Sequence, residues 1–231
     1  EYPRCNFIPS HESRVKIMNK YSSYDRDLMS PKDALQVLVE GNTRFVNNDK
    51  RQYDVLITRN ETKDKQQPFA SILGCSDSRA SVEFIFDQNL GDLFSVRLAG
   101  NIASKEAVGS LEFSTKHLGS KIIVVMGHTN CGAIKAACDQ YYEGNIGEII
   151  RLIEPAVAAE KNILSKKDRG SHNEIFVEKV CFHNIQYQID QILKQSSIIR
   201  DQLKEKKVAL IGAVYNLSTG IVEFDLDNVQ M

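Results

Sequence analysis

Two apolar runs constrain the fold most, because each leads directly into residue types that bind soft or borderline metal ions. Residues 69–74 read Phe-Ala-Ser-Ile-Leu-Gly before Cys75, and residues 121–127 read Lys-Ile-Ile-Val-Val-Met-Gly before His128. Short continuous apolar runs are typical of parallel strands that are buried on both faces. Open α/β sheets build their sites at the carboxyl ends of such strands. We therefore expect the two runs to be strands that bring Cys75, His128 and the following Cys131 together.

Cys75, His128 and Cys131 offer two thiolates and one imidazole, a donor set suited to Zn²⁺ with a fourth position left over. A closed structural zinc site with another fourth ligand is the alternative to a catalytic one. Asp77 and Arg79 bear on this choice, because residues two apart in a loop can project the same way and form a bidentate pair. Asp77 on the metal would close the site, whereas Arg79 holding Asp77 away would leave room for water. A plain surface ion pair is the remaining interpretation of Asp77 and Arg79.

The alternation of strand and helix patterns predicts an α/β fold: a single domain with a central, mostly parallel β-sheet flanked by helices. We expect this domain over residues 30–231, preceded by an N-terminal arm over residues 1–29 that is either disordered or packed on a partner subunit. Ser30-Pro31 is a helix start. Pro155 predicts a helix start or kink where it lies. Helices are predicted from Pro31 to about Phe45 and over 82–86, 104–118, 131–142, 144–164 and 174–194, and a further helical segment is predicted to end at about residue 203. Strands are predicted over 69–74, 92–98, 121–127, 207–214 and 221–226.

Composition excludes some classes of partner. The 29 basic and 30 acidic residues give a net charge of −1, so there is no electrostatic case for binding nucleic acid or membrane surfaces. No apolar run approaches the roughly 18 residues of a membrane helix. Five cysteines at irregular spacing suggest no disulfide framework, which predicts a reducing compartment, the cytoplasm. Because the first residue is Glu1, a processed or trimmed N-terminus and an organellar or exported form stay open.

The segment Cys-Ser-Asp-Ser-Arg at 75–79, followed by Gly-His-Thr-Asn-Cys-Gly at 127–132, resembles the β-class carbonic anhydrases. The resemblance extends over about residues 30–226. It implies a zinc enzyme in which a zinc-bound hydroxide hydrates CO2 reversibly to bicarbonate and a proton. Further segments that carry the resemblance are Gln66-x-Pro68, 92–101, 109–113, 212–215 and 218–224.

The resemblance also assigns roles to individual residues. Cys75, His128 and Cys131 would be the metal ligands, with Asp77 as a fourth ligand in a closed state. Asp77 and Arg79 would form the catalytic dyad, in which Asp77 accepts a hydrogen bond from the hydroxide.

For substrate binding, the resemblance implies an apolar pocket lined by Phe94, Ala99 and Phe113. Ordinary core positions are the alternative for each. Gln66 would contact substrate, typically from across a dimer interface. The alternative is that Gln66 is a solvated loop residue. The resemblance also implies a homo-oligomer, either a dimer or a multiple of dimers, and an N-terminal arm that is helical and docks on a neighbouring chain.

Two positions depart from the family pattern. Phe113 stands where the family usually has Tyr. Ile72 stands where one subgroup has a Trp that forms an inhibitory bicarbonate pocket, although Arg97 matches another member of that pocket. We therefore expect no bicarbonate switch of that kind, which titration of activity with bicarbonate can test.

Three other functions remain open at the level of sequence. A hydrolase of carbon disulfide or carbonyl sulfide would use the same zinc chemistry on the same scaffold. A catalytically silent, zinc-stabilised subunit would need a closed metal site or a blocked pocket. A nucleotide-binding doubly wound domain is poorly supported, because the chain lacks a Gly-x-Gly-x-x-Gly motif. Among the remaining cysteines, Cys138 and Cys181 are expected to be small core residues.

Overall fold

The structure is a computed structural model that describes residues 26–163 and 165–230. Most of the predicted arm, including Cys5, therefore lies outside the described residues. The arm's last residues contact the domain: Met29 is buried in the core, and Arg26 forms an ion pair with Asp92.

The described residues contain one five-stranded sheet with the strand order β2-β1-β3-β4-β5. Its first four strands are parallel and β5 is antiparallel to β4, which confirms the mostly parallel sheet. Because β1 and β3 are parallel neighbours, the C-terminal ends of both strands lie side by side at the same end of the sheet, which we call the carboxyl edge. The strands are β1 (Ala70–Gly74), β2 (Leu93–Arg97), β3 (Ile122–His128), β4 (Ala209–Tyr215) and β5 (Val222–Phe224).

Helices cover both faces of this sheet. On one face, Ile72, Val124 and Met126 pack against the first and third helices; on the other, Leu73 and Val125 pack against the fourth and seventh. This arrangement explains why the strand runs are continuously apolar. The helices are α1 (Pro31–Val46), α2 (Val55–Thr62), α3 (Val82–Ile85), α4 (Lys105–Phe113), α5 (Gly132–Cys138), α6 (Ile146–Ala159), α7 (Glu174–Gln195) and α8 (Ser197–Lys204).

Local sequence signals account for the ends of several helices. At the start of α1, the Asp33 amide donates to Ser30 Oγ (3.1 Å) and the Ser30 amide donates to Asp33 Oδ2 (3.1 Å), which is a capping box. A wider helical turn continues α4 to Leu118, and Gly119 ends it with φ of 83°, as a left-handed C-terminal residue does.

Two helices differ from the sequence-based expectation. The helix expected over 131–142 ends at Cys138, and Gln140 adopts a left-handed φ of 56°. The helix expected over 144–164 runs from Ile146 to Ala159 with Pro155 inside it. Although a proline inside a helix removes a hydrogen bond, α6 fully buries Ile150, Ile153 and Ala156, and this packing stabilises the helix.

No helix among the described residues is both long enough and apolar enough to cross a membrane.

Candidate metal centre

Cys75, His128 and Cys131 lie together at the carboxyl edge of the sheet. Cys75 directly follows β1, His128 is the last residue of β3, and Cys131 precedes α5. All three are buried, and their potential ligand atoms lie within 4.8 Å of one another. The two Sγ atoms are 3.9 Å apart. The neighbouring strand ends therefore produce the cluster that the sequence pattern led us to expect.

The His128 ring is oriented with one nitrogen facing this cluster. Its Nδ1 lies 2.9 Å from the Thr129 carbonyl oxygen, which only accepts hydrogen bonds, so Nδ1 carries the proton. Its Nε2 is buried and has no hydrogen-bond partner among the described residues. Because an unsatisfied buried nitrogen is costly, a metal ion is the natural partner for it. The backbone bond at the other nitrogen is the usual second contact of a metal-ligating histidine.

The two thiols influence each other's protonation. The hydrogen bond between them lowers the pKa of Cys75 and raises the pKa of Cys131, so the pair gives up one proton readily and retains the other. A divalent cation would stabilise both thiolates at once, since metal binding releases ligand protons. With the imidazole, the two thiolates form a set of soft and borderline donors that fits Zn²⁺.

Gly100 supports Cys75 from the neighbouring segment, a contact that the sequence analysis did not anticipate. Its amide donates to Cys75 Sγ (3.3 Å), and its carbonyl accepts from Asn184 Nδ2 (2.9 Å). Gly100 has φ of 70°, and a Cβ at this position would lie 2.6 Å from Ile153 Cδ1. Only glycine combines this backbone conformation with such close packing. The sequence contains this glycine, but it does not show which residues pack against it in the fold.

Asp77 and Arg79 form a bidentate ion pair beside the cluster. Arg79 Nε donates to Asp77 Oδ1 (2.9 Å) and Arg79 Nη2 donates to Asp77 Oδ2 (2.7 Å). The Arg79 amide also donates to Asp77 Oδ1. These bonds lower the pKa of Asp77 to about 2. Of the two arrangements considered from sequence, the structure has the one in which Arg79 holds the carboxylate; Asp77 Oδ2 lies 3.8 Å from His128 Nε2.

Of the four expected substrate-binding residues, Ala99 directly precedes Gly100, whose amide donates to Cys75 Sγ. Phe94 pairs in register with Ser71, near the amino end of β1. Its ring centroid lies 6.5 Å from that of Phe113, which is 48% exposed. Phe94 of β2 and Phe113 of α4 therefore form an aromatic pair between these two elements. Their predicted contact with substrate stays a prediction.

Gln66 is exposed and precedes the amino end of β1, whereas Cys75 follows the carboxyl end. A strand of five residues spans about 16 Å. Within a single chain, Gln66 is thus placed at the opposite end of β1 from the cluster of Cys75, His128 and Cys131.

Arg97 contacts the backbone of the loop that carries Cys75 and Asp77. Its Nε donates to the Cys75 carbonyl (2.9 Å) and its Nη2 donates to the Asp77 carbonyl (2.6 Å). The sequence analysis considered Arg97 only as part of a bicarbonate pocket and missed this role, because the role depends on the pairing of β1 with β2. Ile72 is fully buried in the core. The expected lack of a bicarbonate switch stays a prediction.

A separate cavity of about 550 Å³ is lined in part by Thr129, which follows His128, and by Cys181, whose Sγ donates to the His128 carbonyl oxygen (3.5 Å). It contains His183, whose Nε2 is 3.3 Å from the buried carboxylate of Glu160. Cys138 and Cys181 are both buried and unpaired, as expected of core residues. None of the four substrate-binding residues expected from the sequence lines this cavity.

Comparison with known proteins identifies relatives over most of the chain. Residues 70–222 match the family model described as carbonic anhydrase. Carbonic anhydrase 2 of Mycobacterium tuberculosis is 33% identical over 193 residues, which cover 83% of this chain and 91% of that protein. Carbonic anhydrase of Mycolicibacterium smegmatis is 32% identical over 200 residues, covering 84% and 93%.

Solved structures show the same fold. The Coccomyxa β-carbonic anhydrase in complex with acetazolamide superposes with a TM-score of 0.63 at 25% identity, covering 81% of this chain and 84% of that chain. The β-carbonic anhydrase CcaA superposes with a TM-score of 0.64 at 25% identity, covering 82% and 94%.

Proposed function

This chain belongs to the β-carbonic anhydrase family, whose general reaction is CO2 hydration, and we propose that it interconverts CO2 and bicarbonate at a zinc ion held by Cys75, His128 and Cys131. The observation that carries this proposal is the buried Cys2His cluster with a formed Asp77–Arg79 pair beside it. When bound, zinc supplies the Lewis acidity that lowers the pKa of water toward neutrality.

Asp77 contributes an acceptor that is ionised at neutral pH. Arg79 donates to Asp77 Oδ1 through its amide and its Nε, whereas Oδ2 accepts a single bond from Arg79 Nη2 and retains a further lone pair. The carboxylate can therefore accept a hydrogen bond from the attacking oxygen and direct a lone pair of that oxygen toward the carbon of CO2. The new C–O bond yields bicarbonate, and the released proton passes to solvent.

An oligomer would complete the substrate site. Two β-carbonic anhydrases of Sordaria macrospora are described as tetrameric, and we infer that this chain forms a dimer or a multiple of dimers. Gln66 would then reach the metal centre of a neighbouring chain, because its own lies at the far end of β1. Phe113, which is half exposed in the single chain, would be covered by the same contact.

Stopped-flow CO2 hydration tests the proposal. We expect the zinc-loaded protein to hydrate CO2 at a rate that rises between about pH 6.5 and 9, as a water of lowered pKa ionises. Asp77→Asn should lower kcat about 100-fold, the scale for losing one hydrogen bond that is made in the transition state. The matched control is Asp201→Asn, which removes an exposed acid paired with Lys204 and should leave kcat unchanged.

Zinc content measured on the same samples makes a negative result informative. A protein that binds zinc but hydrates no CO2 at any pH would contradict the proposal. Assays with carbonyl sulfide and carbon disulfide would then separate a hydrolase of those molecules from a silent zinc-stabilised subunit.

A further inference from the structure

Arg97 is the last residue of β2 and pairs in register with Gly74, the residue before Cys75. Its guanidinium donates to the carbonyl oxygens of Cys75 and Asp77. We propose that Arg97 is a positioning residue that fixes the metal-binding loop 75–79. The proposal rests on the proposed function, since it assigns a further role within the same site.

The geometry requires an arginine. The two carbonyls belong to residues two apart, and one planar guanidinium reaches both through two different nitrogens. A lysine presents one compact ammonium group and cannot reproduce this fork. The Asp77 carbonyl also accepts from the Ala80 amide (3.0 Å), so the bond to Cys75 is where loss of Arg97 has the larger effect.

Arg97 donates to the carbonyl groups of the two residues whose side chains take part in the proposed reaction. Cys75 provides one metal-binding thiolate and Asp77 provides the carboxylate beside the metal. Residues that orient metal ligands in this way typically affect metal affinity or activity about 10- to 100-fold when mutated. Arg97 therefore acts on the reaction through the backbone of both residues.

The Arg97 guanidinium makes its hydrogen bonds with the loop rather than with an acidic side chain. Among the described residues, Arg97 forms no ion pair with a carboxylate. The donors Nε and Nη2 are already engaged by the two carbonyls, so an anion that bound to them would have to displace the loop.

Two substitutions separate the effect of the paired hydrogen bonds from the effect of the positive charge. Arg97→Met removes the hydrogen bonds and the charge and keeps an unbranched side chain, whereas Arg97→Lys keeps only the charge. Arg151→Met is the control, because Arg151 is exposed, forms an ion pair with Glu148 of its own helix and lies over the ring of Tyr142, and contacts neither Cys75 nor Asp77 by hydrogen bonds. The measurements are the rate of zinc loss to a chelator, hydrogen exchange of the amides in residues 75–80, and kcat and KM for CO2 hydration.

We expect Arg97→Met to lose zinc about 10-fold faster, to exchange the loop amides faster, and to lower kcat by 10- to 100-fold. Arg97→Lys should recover only part of each effect, and Arg151→Met should match the wild type. Wild-type zinc loss and loop exchange in both Arg97 variants would overturn the proposal, even if their thermal stability fell.

If Arg97→Met does not fold, Arg97→Lys tests the proposal alone. Faster zinc loss in Arg97→Lys would support the role of the paired hydrogen bonds, and zinc loss at the wild-type rate would overturn it. If the wild type hydrates no CO2, the proposed function fails, yet zinc loss and amide exchange still test the role of Arg97.

Discussion

Glu160 is a carboxylate whose side chain is only 1% exposed. Its Oε1 accepts from the amides of Asn162 (2.6 Å) and Ile163 (3.2 Å), and its Oε2 lies near His183 Nε2. Burial raises the pKa of Glu160, but the hydrogen bonds from the Asn162 amide, His183 and the Ile163 amide outweigh burial and leave the pKa lowered. A carboxyl group with a lowered folded-state pKa stabilises the fold above its unfolded pKa and loses that contribution as pH falls through its folded pKa.

We predict that Glu160→Gln lowers the melting temperature at pH 7 because the variant loses the charge that the amides and His183 stabilise. The difference in melting temperature between the variant and the wild type should shrink below about pH 4.5. As the pH falls, the Glu160 carboxyl group becomes neutral first in the unfolded chain and then in the folded one. Thermal melts between about pH 3 and 8 measure this, with the exposed Glu178→Gln as the control. A difference that is constant over this range would contradict the assignment.

Residues of the metal centre differ in how far the sequence could predict them. Cys75, Asp77 and Arg79 share one short loop, and His128 and Cys131 share another, so the neighbouring strand ends were enough to predict that they meet. Arg97 and Gly100 could not be assigned, because their contacts depend on the register between β1 and β2 and on the left-handed backbone at one position. Such features result from tertiary packing and leave no periodic signal.

At the scale of elements, α1 packs against the chain at the end of α3 through Gly41. A Cβ at this position would lie 1.8 Å from the Phe86 carbonyl oxygen and 2.7 Å from the Phe86 carbonyl carbon. Both atoms belong to the backbone and cannot move away by changing rotamer. The helix can therefore approach this closely only with a glycine here.

We predict that Gly41→Ala lowers the free energy of unfolding by about 3 kcal/mol or more, since the clash forces the helix or the backbone of Phe86 to shift. Gly147→Ala in α6 is the control: its new Cβ would lie 3.7 Å from Tyr142, an ordinary contact. It should be neutral or stabilising by about 0.5 kcal/mol, because alanine favours helix more than glycine does. Denaturant unfolding of both variants at one protein concentration measures the difference, and equal stability would refute the packing argument.

The order and type of the elements followed from local signals more reliably than their ends. Continuous apolar runs predicted the buried strands, and Ser30-Pro31 predicted the start of α1. The sequence pattern indicated a connection with one helical turn over residues 48–67. The structure instead has the two turns of α2, which begin where Asp54 accepts hydrogen bonds from the amides of Leu56 and Ile57. It also could not predict that α6 continues through Pro155, because the burial of its apolar face is a property of the assembled domain.

At the scale of the whole molecule, the described chain has the cluster of Cys75, His128 and Cys131 at one end of β1 and Gln66 at the other. A role for Gln66 at the metal centre then requires a second chain, since the strand between them is rigid and paired on both sides. Symmetric association is the common form of homo-oligomer. In a two-fold dimer, each chain would supply Gln66 to the metal centre of the other.

Complementation between two defective chains tests this arrangement. Gln66→Ala keeps Asp77, and Asp77→Asn keeps Gln66, so a mixed dimer rebuilds one complete site only if Gln66 acts across the interface. With equal co-expression and random pairing, about a quarter of all sites would be intact, and CO2 hydration should approach a quarter of the wild-type rate. Co-expression of Gln66→Ala with the double variant Gln66→Ala, Asp77→Asn is the control, because no pairing then restores a site. Activity that merely equals the average of the two parent proteins would show that Gln66 does not act in the neighbouring chain.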